Sequence, residues 1–275
     1  MVKKKVSAYN GFINTKYKPT STDVVVQYKI TPARGYSFRQ VAEMTAGESS
    51  VGTWTEVQTT NKRVQRLAPK VFYLNKKDRR VRIAYPLKLF EYSSVPNILS
   101  SIGGNVFGMK AAKGLLFEDI TFPKKMIKKF KGPRFGIKGL RKYLGVKKRP
   151  LVGTIVKPKV GLNEHEHALV AYDSWIGGCD IVKDDENLGD QDFNRFKKRF
   201  LLTIKKCREA EKKTGEKKVY LVNCTAEYDE MLKRIDFVQK NGGNYIMLDI
   251  LTIGWGSLQS IRDHIKLPIH AHRAG

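Results

Sequence analysis

The hydrophobic pattern of the first half of the chain alternates between strand-like and helix-like spacing. Residues 23–30 (DVVVQYKI) form a β-branched run typical of a buried strand, and residues 36–46 (YSFRQVAEMTA) carry apolar positions at helical spacing. Residues 70–87 predict two strands around a polar turn, and residues 95–102 predict a helix that ends at a glycine pair. Residues 113–123 return to a strand that a proline closes. This mixture predicts an α+β domain, which we assign to the ferredoxin-like type.

From about residue 150 the pattern changes to a repeated order of strand, loop and helix. Several of the predicted helices end in glycine, which is a typical stop signal. Alternating strands and helices indicate a parallel sheet covered by helices. The predicted strands are LVGTIVKP, CDIVKDD, KVYLVNCT, NYIMLDIL and LPIHAHR.

Two architectures fit this repeat, an open doubly wound sheet and an eight-stranded TIM barrel, and periodicity alone does not separate them. Both place function at the carboxyl ends of the strands. Polar side chains drawn from the ends of many strands favour the barrel. They are Lys157, Lys159, Lys183 to Glu186, Asn223, Asp249, His272 and Arg273.

The predicted organisation has three parts. An N-terminal α+β domain covers residues 1–135, a basic linker covers 136–149, and the first five βα units of a barrel cover 150–275. A complete barrel takes about 250 residues. We therefore expect the barrel to be incomplete, which predicts a truncated chain that is inactive alone.

Composition narrows the class of protein. No apolar run approaches the roughly 20 residues that span a bilayer, and the start of the chain lacks the apolar core of a signal peptide, which predicts a cytoplasmic protein without membrane contact. The three cysteines, Cys179, Cys207 and Cys224, have no CxxC spacing. They are predicted to be buried, reduced thiols.

The net charge of +26 is the least ordinary bulk property of this chain. Residues 124–149 alone contain twelve Lys or Arg and no acidic residue. Such a segment is able to bind nucleic acid by releasing phosphate counterions. Aromatic residues are not interleaved with the charge as single-strand binding requires, so the sequence favours a solvated surface with a few cations for an anionic substrate.

The strongest candidate chemistry follows the second strand of the repeat. Lys183, Asp184, Asp185 and Glu186 emerge together after a buried apolar run. Two of them, Asp185 and Glu186, offer the hard oxygen ligands that suit Mg²⁺. Taken alone, KDDE is as consistent with a solvated charged turn.

The first and fifth strands add further candidates. Pro158 favours an extended backbone, in which the side chains of Lys157 and Lys159 point to the same side. The two ammonium groups would repel each other there, which makes proton transfer possible near neutrality. In the fifth strand, a base role suits His272 and a phosphate-binding role suits Arg273. For His270 we expect a core position.

Seven segments in order and spacing resemble the large subunit of ribulose-1,5-bisphosphate carboxylase (RuBisCO), over almost the whole chain. KDDEN and GWGSLQSIRD resemble the archaeal form III members most. The segments are GESSVGTWTEV, YPLKLFE, SSIGGNVFGMKAAKGLLFEDITFP, GPRFGI, GTIVKPKVGL, GGCDIVKDDEN and HAHRAG.

The resemblance implies an enzyme, a lyase of carbon dioxide fixation, with Mg²⁺ as cofactor. It implies that Lys183 reacts with an activating CO2 to form a carbamate, which holds Mg²⁺ together with Asp185 and Glu186. Ribulose 1,5-bisphosphate then enolises and CO2 adds to it, giving two 3-phosphoglycerates, with a monooxygenase side reaction on O2. The metabolic route stays open between a photosynthetic-type cycle and AMP salvage.

The resemblance also implies roles for single residues. Lys157 matches an acid/base lysine whose charge Lys159 tunes, while His272 and Arg273 match a base and a phosphate clamp. A homodimer or a higher homo-oligomer is implied, with the active site shared across the dimer. The positions that reach the neighbouring subunit are Asn105, Glu48, Thr53 and Trp54.

Two departures from the family pattern stand out. Val51 replaces a usual Thr, and the chain is far more basic than the family generally is. Three rival interpretations remain: a RuBisCO-like isomerase of sulfur salvage, a nucleic-acid-binding module, and a non-catalytic remnant.

Overall fold

The structure is a computed structural model that describes residues 10–53, 55 and 61–274. The chain divides into two compact units between Phe130 and Lys131. The predicted boundary at residue 135 lies five residues further along the chain.

The first unit is a four-stranded antiparallel sheet with helices inserted between its strands. The sheet order is β2-β3-β1-β4, and the chain runs β-α-β-β-α-β through the main elements. This is the ferredoxin-like arrangement that the sequence predicted. The strands are β1 (Asp23–Pro32), β2 (Lys70–Asn75), β3 (Arg80–Pro86) and β4 (Ala112–Thr121); the helices are α1 (Phe38–Glu48), α2 (Lys62–Gln65), α3 (Val95–Gly103) and α4 (Lys124–Ile127).

Strand β1 forms the centre of the first core. Its residues Val24, Val26, Tyr28 and Ile30 point to one face and are fully buried, as the alternation of a pleated strand requires. The Tyr28 hydroxyl donates to the Ile102 carbonyl oxygen at 2.6 Å and ties the strand to helix α3.

The second unit contains five parallel strands, each followed or preceded by helices. The strands are β5 (Gly153–Ile155), β6 (Ile181–Lys183), β7 (Val219–Asn223), β8 (Tyr245–Asp249) and β9 (Ile269–His272); the helices are α5 (Gly136–Leu144), α6 (Glu164–Ile176), α7 (Phe196–Thr214), α8 (Tyr228–Lys240), α9 (Ile250–Ile253) and α10 (Trp255–His264).

The order of these strands distinguishes between the two predicted architectures. It is β5-β6-β7-β8-β9, so that every strand pairs in parallel with its neighbour along the chain. A doubly wound sheet reverses its order near the middle, whereas a barrel keeps the chain order. The unit is therefore a half-barrel of the TIM type, as the sequence favoured. All residues of β7 are buried, as expected for a strand with helices on one side and barrel core on the other.

The segment predicted as a basic linker is ordered and packs on the second unit. Its helix α5 buries Leu144 against Val219 and Leu221. The side chain of Arg141 donates to the carbonyl oxygens of residues 146 and 149 at 3.2 and 3.0 Å. At least one cation of this basic segment, Arg141, is therefore used in hydrogen bonds within the protein.

An ion pair between the half-exposed Arg149 and the buried Asp180 anchors the end of this basic segment to the half-barrel. Arg149 donates to both carboxylate oxygens of Asp180, at 2.6 and 2.8 Å. These bonds, opposed by burial and supported by the Val152 backbone N–H, hold the pKa of Asp180 below its ordinary value.

This pair predicts a loss of stability in acid. Because the folded pKa of Asp180 is lowered, its contribution is present above the unfolded pKa and is lost as pH falls through the folded pKa. We expect Asp180→Asn to lower the free energy of unfolding at pH 7 and to flatten its decline towards acid. Urea unfolding across pH measures this, with Asp192→Asn, 93% exposed, as the control that changes little. An equal decline in Asp180→Asn and the unchanged chain would contradict the prediction.

Two bulk expectations concern cysteines and membranes. Cys207 and Cys224 are buried, and burial raises the pKa of the Cys207 thiol to about 12; Cys179 is half-buried instead, at the end of the turn after α6.

Among the residues that the structure describes, no helix has the length and apolar character needed to cross a membrane. The cytoplasmic location stays a prediction.

Candidate active site

The carboxyl ends of the half-barrel strands bring the predicted lysine and acids together. Lys183 is the last residue of β6, and its side chain is 11% exposed. Its Nζ donates to the Asp184 carbonyl oxygen at 2.8 Å and to Glu186 Oε2 at 3.3 Å, and it contacts Met247 Sδ at 3.6 Å. The amine therefore lies inside the ring of carboxyl strand ends, which we call the rim, and contacts the Glu186 carboxylate.

The two predicted metal ligands differ in burial and both favour the ionised form. Burial opposes ionisation of Asp185, but hydrogen bonds from Asn187 and from the Lys157 ammonium outweigh it and hold its pKa below the ordinary value. A backbone N–H hydrogen bond lowers the pKa of Glu186, and Lys183 lowers it further. Burial and the charge of Asp185 act in the opposite direction but do not outweigh these effects. The Glu186 carboxylate thus lies beside the Lys183 amine, and the Asp185 carboxylate lies close enough to Glu186 to act on its pKa.

Both lysines of the KPK segment reach these acids. Lys157 Nζ lies 3.2 Å from Asp185 Oδ2, and Lys159 Nζ lies 4.0 Å from Glu186 Oε1. The backbone differs from the predicted extended form, because the segment bends and the bond before Pro158 is cis, which proline permits.

Strands β8 and β9 complete the rim. His272 Nε2 lies 3.8 Å from Glu186 Oε2, and its Nδ1 lies 3.1 Å from Asp249 Oδ1. Burial raises the pKa of Asp249, although His272 opposes the shift. For His270 burial lowers the pKa, and the ring is half-buried beside that of His272. A cleft of about 500 Å³ opens here, lined by Glu186, Asn187, Asp249, Thr252, His272, Arg273 and Ala274.

Beneath the rim lies a buried charge network that the sequence did not reveal. Asp184 and Arg199 are both fully buried, with Arg199 Nε 3.3 Å from Asp184 Oδ2. The Tyr220 hydroxyl donates to Asp184 at 2.7 Å, the Asn223 backbone N–H at 3.0 Å, and His167 Nε2 lies 3.1 Å away. Although burial alone would raise it, Arg199 and these bonds lower the pKa of Asp184 to about 2. The residue between Lys183 and Asp185 is therefore held as an anion.

The predicted residues of the first unit only partly share one cleft. Glu48, the last residue of α1, and Asn105, which opens a short 3-10 turn, both line a cleft of about 340 Å³ together with Ser49, Ser50, Ser100 and Ser101. Thr53 is half-buried in the segment after α1. Trp54 lies outside the described residues.

The chemistry of the rim fits a magnesium ion. Within the described part of the chain, no group of three or more His, Cys, Asp and Glu side chains is arranged to hold a metal. Two carboxylates are nevertheless sufficient for Mg²⁺, which keeps several of its waters. Asp185 and Glu186 would supply these, and the Lys183 amine lies 3.3 Å from Glu186.

Comparison with known proteins identifies the family. The model of the ribulose bisphosphate carboxylase large chain N-terminal domain matches residues 11–126, and that of the catalytic domain matches residues 136–275. The chain therefore belongs to the ribulose bisphosphate carboxylase large chain family, which confirms the resemblance found in the sequence.

Individual relatives are archaeal. The chain is 49% identical to ribulose bisphosphate carboxylase of Methanosarcina mazei over 267 residues, 95% of this chain and 62% of that protein. It is 46% identical to that of Methanocaldococcus jannaschii, over 96% of this chain and 63% of that protein. Assignment to form III stays a prediction.

Solved structures agree in fold. The dimeric archaeal Rubisco from Hyperthermus butylicus superposes with a TM-score of 0.93 at 45% identity, over 98% of this chain and 64% of that one. The octameric Rubisco from Pyrococcus horikoshii gives 0.92 at 42% identity, over 97% and 65%. The chain thus spans a little under two thirds of the length of these relatives.

Proposed function

We propose that this chain carries the carbamylated-lysine centre of a ribulose-1,5-bisphosphate carboxylase, using Mg²⁺ and an activating CO2. The observation that carries the proposal is the Lys183 amine 3.3 Å from Glu186, with Asp185 beside it, at the end of a barrel strand. Membership of the family supplies the context, since 42–49% identical relatives bear that name.

The activating step is an addition of CO2 to the amine. The Lys183 ammonium first loses one proton to solvent. The lone pair of the neutral Nζ then attacks the carbon of CO2, so that a nitrogen–carbon bond forms while one carbon–oxygen π bond opens onto oxygen, and a second proton leaves the nitrogen to solvent. A cationic side chain thereby becomes an anionic oxygen donor. With Asp185 and Glu186 it would hold Mg²⁺, which supplies polarisation of substrate oxygens when bound.

The remaining rim residues have roles in binding and proton transfer. Lys157 moves protons on the substrate and the product, and Lys159 adjusts the local charge from the same segment. His272 accepts a proton, and Arg273 binds a phosphate as a charge-assisted donor. The substrates in this proposal are ribulose 1,5-bisphosphate with CO2, or with O2 in the monooxygenase side reaction.

The first unit contributes to a site in a neighbouring subunit. Asn105, Glu48, Thr53 and Trp54 reach the partner's barrel in this proposal, so the active form is a homodimer or a larger homo-oligomer. Support comes from relatives described as dimeric and octameric and from the shared cleft of Glu48 and Asn105.

Trapping of labelled CO2 tests the proposal. With ¹³C-bicarbonate and Mg²⁺, we expect one carbamate signal per chain in the ¹³C NMR spectrum, absent in Lys183→Met because its side chain has no amine. Lys206→Met, which removes a half-buried lysine paired with Glu209, is the control and keeps the signal.

Two outcomes would contradict the proposal. A Mg²⁺-dependent carbamate that persists in Lys183→Met would place the modification elsewhere. Enolisation of a sugar phosphate by the chain without any CO2 incorporation would instead support the isomerase interpretation.

A further inference from the structure

Asp249 and His272 form a close pair at the ends of β8 and β9. Asp249 Oδ1 lies 3.1 Å from His272 Nδ1. Neither atom makes a well-aligned hydrogen bond with any described residue, although both are buried. The two polar atoms therefore face each other as their nearest partners, at hydrogen-bond distance but without linear geometry.

The aspartate is held in place from both sides of its backbone. Its N–H donates to Thr225 Oγ1 at 3.0 Å, and its carbonyl oxygen accepts from Thr252 Oγ1 at 2.9 Å. Its side chain is 5% exposed. The backbone of Asp249 is thus held on both sides, and its carboxylate is buried beside His272.

The histidine ring presents different surroundings at its two nitrogens. Nδ1 faces the buried carboxylate, whereas Nε2 lies on the side of the cleft, 3.8 Å from Glu186 Oε2. A carboxylate at one ring nitrogen fixes the orientation of the ring and places the proton on that nitrogen.

We propose that Asp249 is a positioning residue for His272: its carboxylate takes the Nδ1 proton of the ring and thereby fixes the ring with Nε2 on the side of the cleft. This inference rests on the proposed function, in which His272 accepts a proton.

The location of the proton tests the proposal directly. In the full chain labelled with [¹⁵N]histidine, solid-state NMR distinguishes a protonated from a bare ring nitrogen, and His272→Gln assigns the signal. We expect a protonated Nδ1 on His272 in the unchanged protein. In Asp249→Asn the amide offers a donor to Nδ1, so at least half of the His272 population should shift to the Nε2–H form.

A matched control exists on the surface of the same unit. Asp236 Oδ1 lies 3.0 Å from His264 Nε2, both being about 45% exposed, so Asp236→Asn removes a similar pair and should leave the His272 signal unchanged. A bare Nδ1 on His272 in the unchanged protein would overturn the proposal, as would an unaltered signal in Asp249→Asn.

The carbamate measurement separates this inference from the proposed function. Asp249→Asn retains the Lys183 carbamate if Asp249 acts on His272 alone, and loss of that signal would overturn the positioning role in favour of a contribution to the lysine centre. Absence of the carbamate in the unchanged chain would count against the proposed function, while the ring signals would still report whether Asp249 sets the tautomer.

Discussion

Replacing Arg199 by methionine is expected to lower the free energy of unfolding of the second unit by about 3–5 kcal/mol. The substitution keeps most of the side-chain volume but removes the cation beside a fully buried carboxylate, Asp184. It also removes the hydrogen bonds that the guanidinium donates to the carbonyl oxygens of Asn194 and Gly189, at 3.1 and 2.9 Å. An uncompensated buried charge is the main cost, because the pKa of Asp184 near 2 shows how strongly its anion depends on these partners.

Urea unfolding followed by circular dichroism measures this loss. Lys198→Met changes the preceding residue, whose side chain is 58% exposed and lies 3.3 Å from Glu164, and should cost less than about 1 kcal/mol. Adding Asp184→Asn to Arg199→Met should recover part of the stability, since the orphaned charge is then absent. Equal losses in the Arg199 and Lys198 variants would show that the buried pair contributes no more than a surface pair.

Replacing Asp185 by asparagine is expected to weaken the Mg²⁺-dependent retention of the Lys183 carbamate by more than the roughly 10–100-fold that an outer-sphere partner costs. The shape of the side chain is kept, but one of the three proposed anionic ligands is lost. The Lys157 ammonium, 3.2 Å from this carboxylate, loses its counter-charge as well, so the rim becomes more positive and repels a divalent cation.

Titration of the ¹³C carbamate signal with Mg²⁺ gives the apparent affinity. Glu209→Gln removes an exposed carboxylate paired with Lys206 and should leave the titration unchanged. If Asp185→Asn also left it unchanged, Asp185 would have no place among the metal ligands. Thermal unfolding of both variants shows whether the folded state is kept.

The elements of both units were predictable because their apolar spacing is strong. Strand β1 alternates buried and half-buried positions, and α3 begins at a serine cap with Pro96 in its first turn and ends at glycine. Periodicity did not decide between an open sheet and a barrel. The order of the strands depends on how strands from different segments pair with one another, and the apolar spacing within one segment does not show this. The ordered character of residues 136–144 was missed because abundant lysine masks the packing face of α5.

In the site, residues at strand ends were predictable and their buried partners were not. Lys183, Asp185 and Glu186 follow an apolar run directly, which signals a strand terminus. Arg199 lies among lysines and arginines in α7 and resembles surface charge. A signal was present, however: Arg199 falls on the helical stripe of Phe196, Phe200, Thr203, Ile204 and Cys207, which is the buried face, and a cation on an apolar stripe requires a buried partner.

The partners of Asp184 also determine when the centre takes shape during synthesis. His167, Arg199, Tyr220 and Asn223 all precede β8 in the chain, and domains emerge from the ribosome in N-to-C order. The residues that make these contacts with Asp184 are thus synthesised before Met247, Asp249 and His272. The contacts that hold Asp184 beneath the lysine centre therefore come from three successive βα units, and the strands β8 and β9 follow them in the chain.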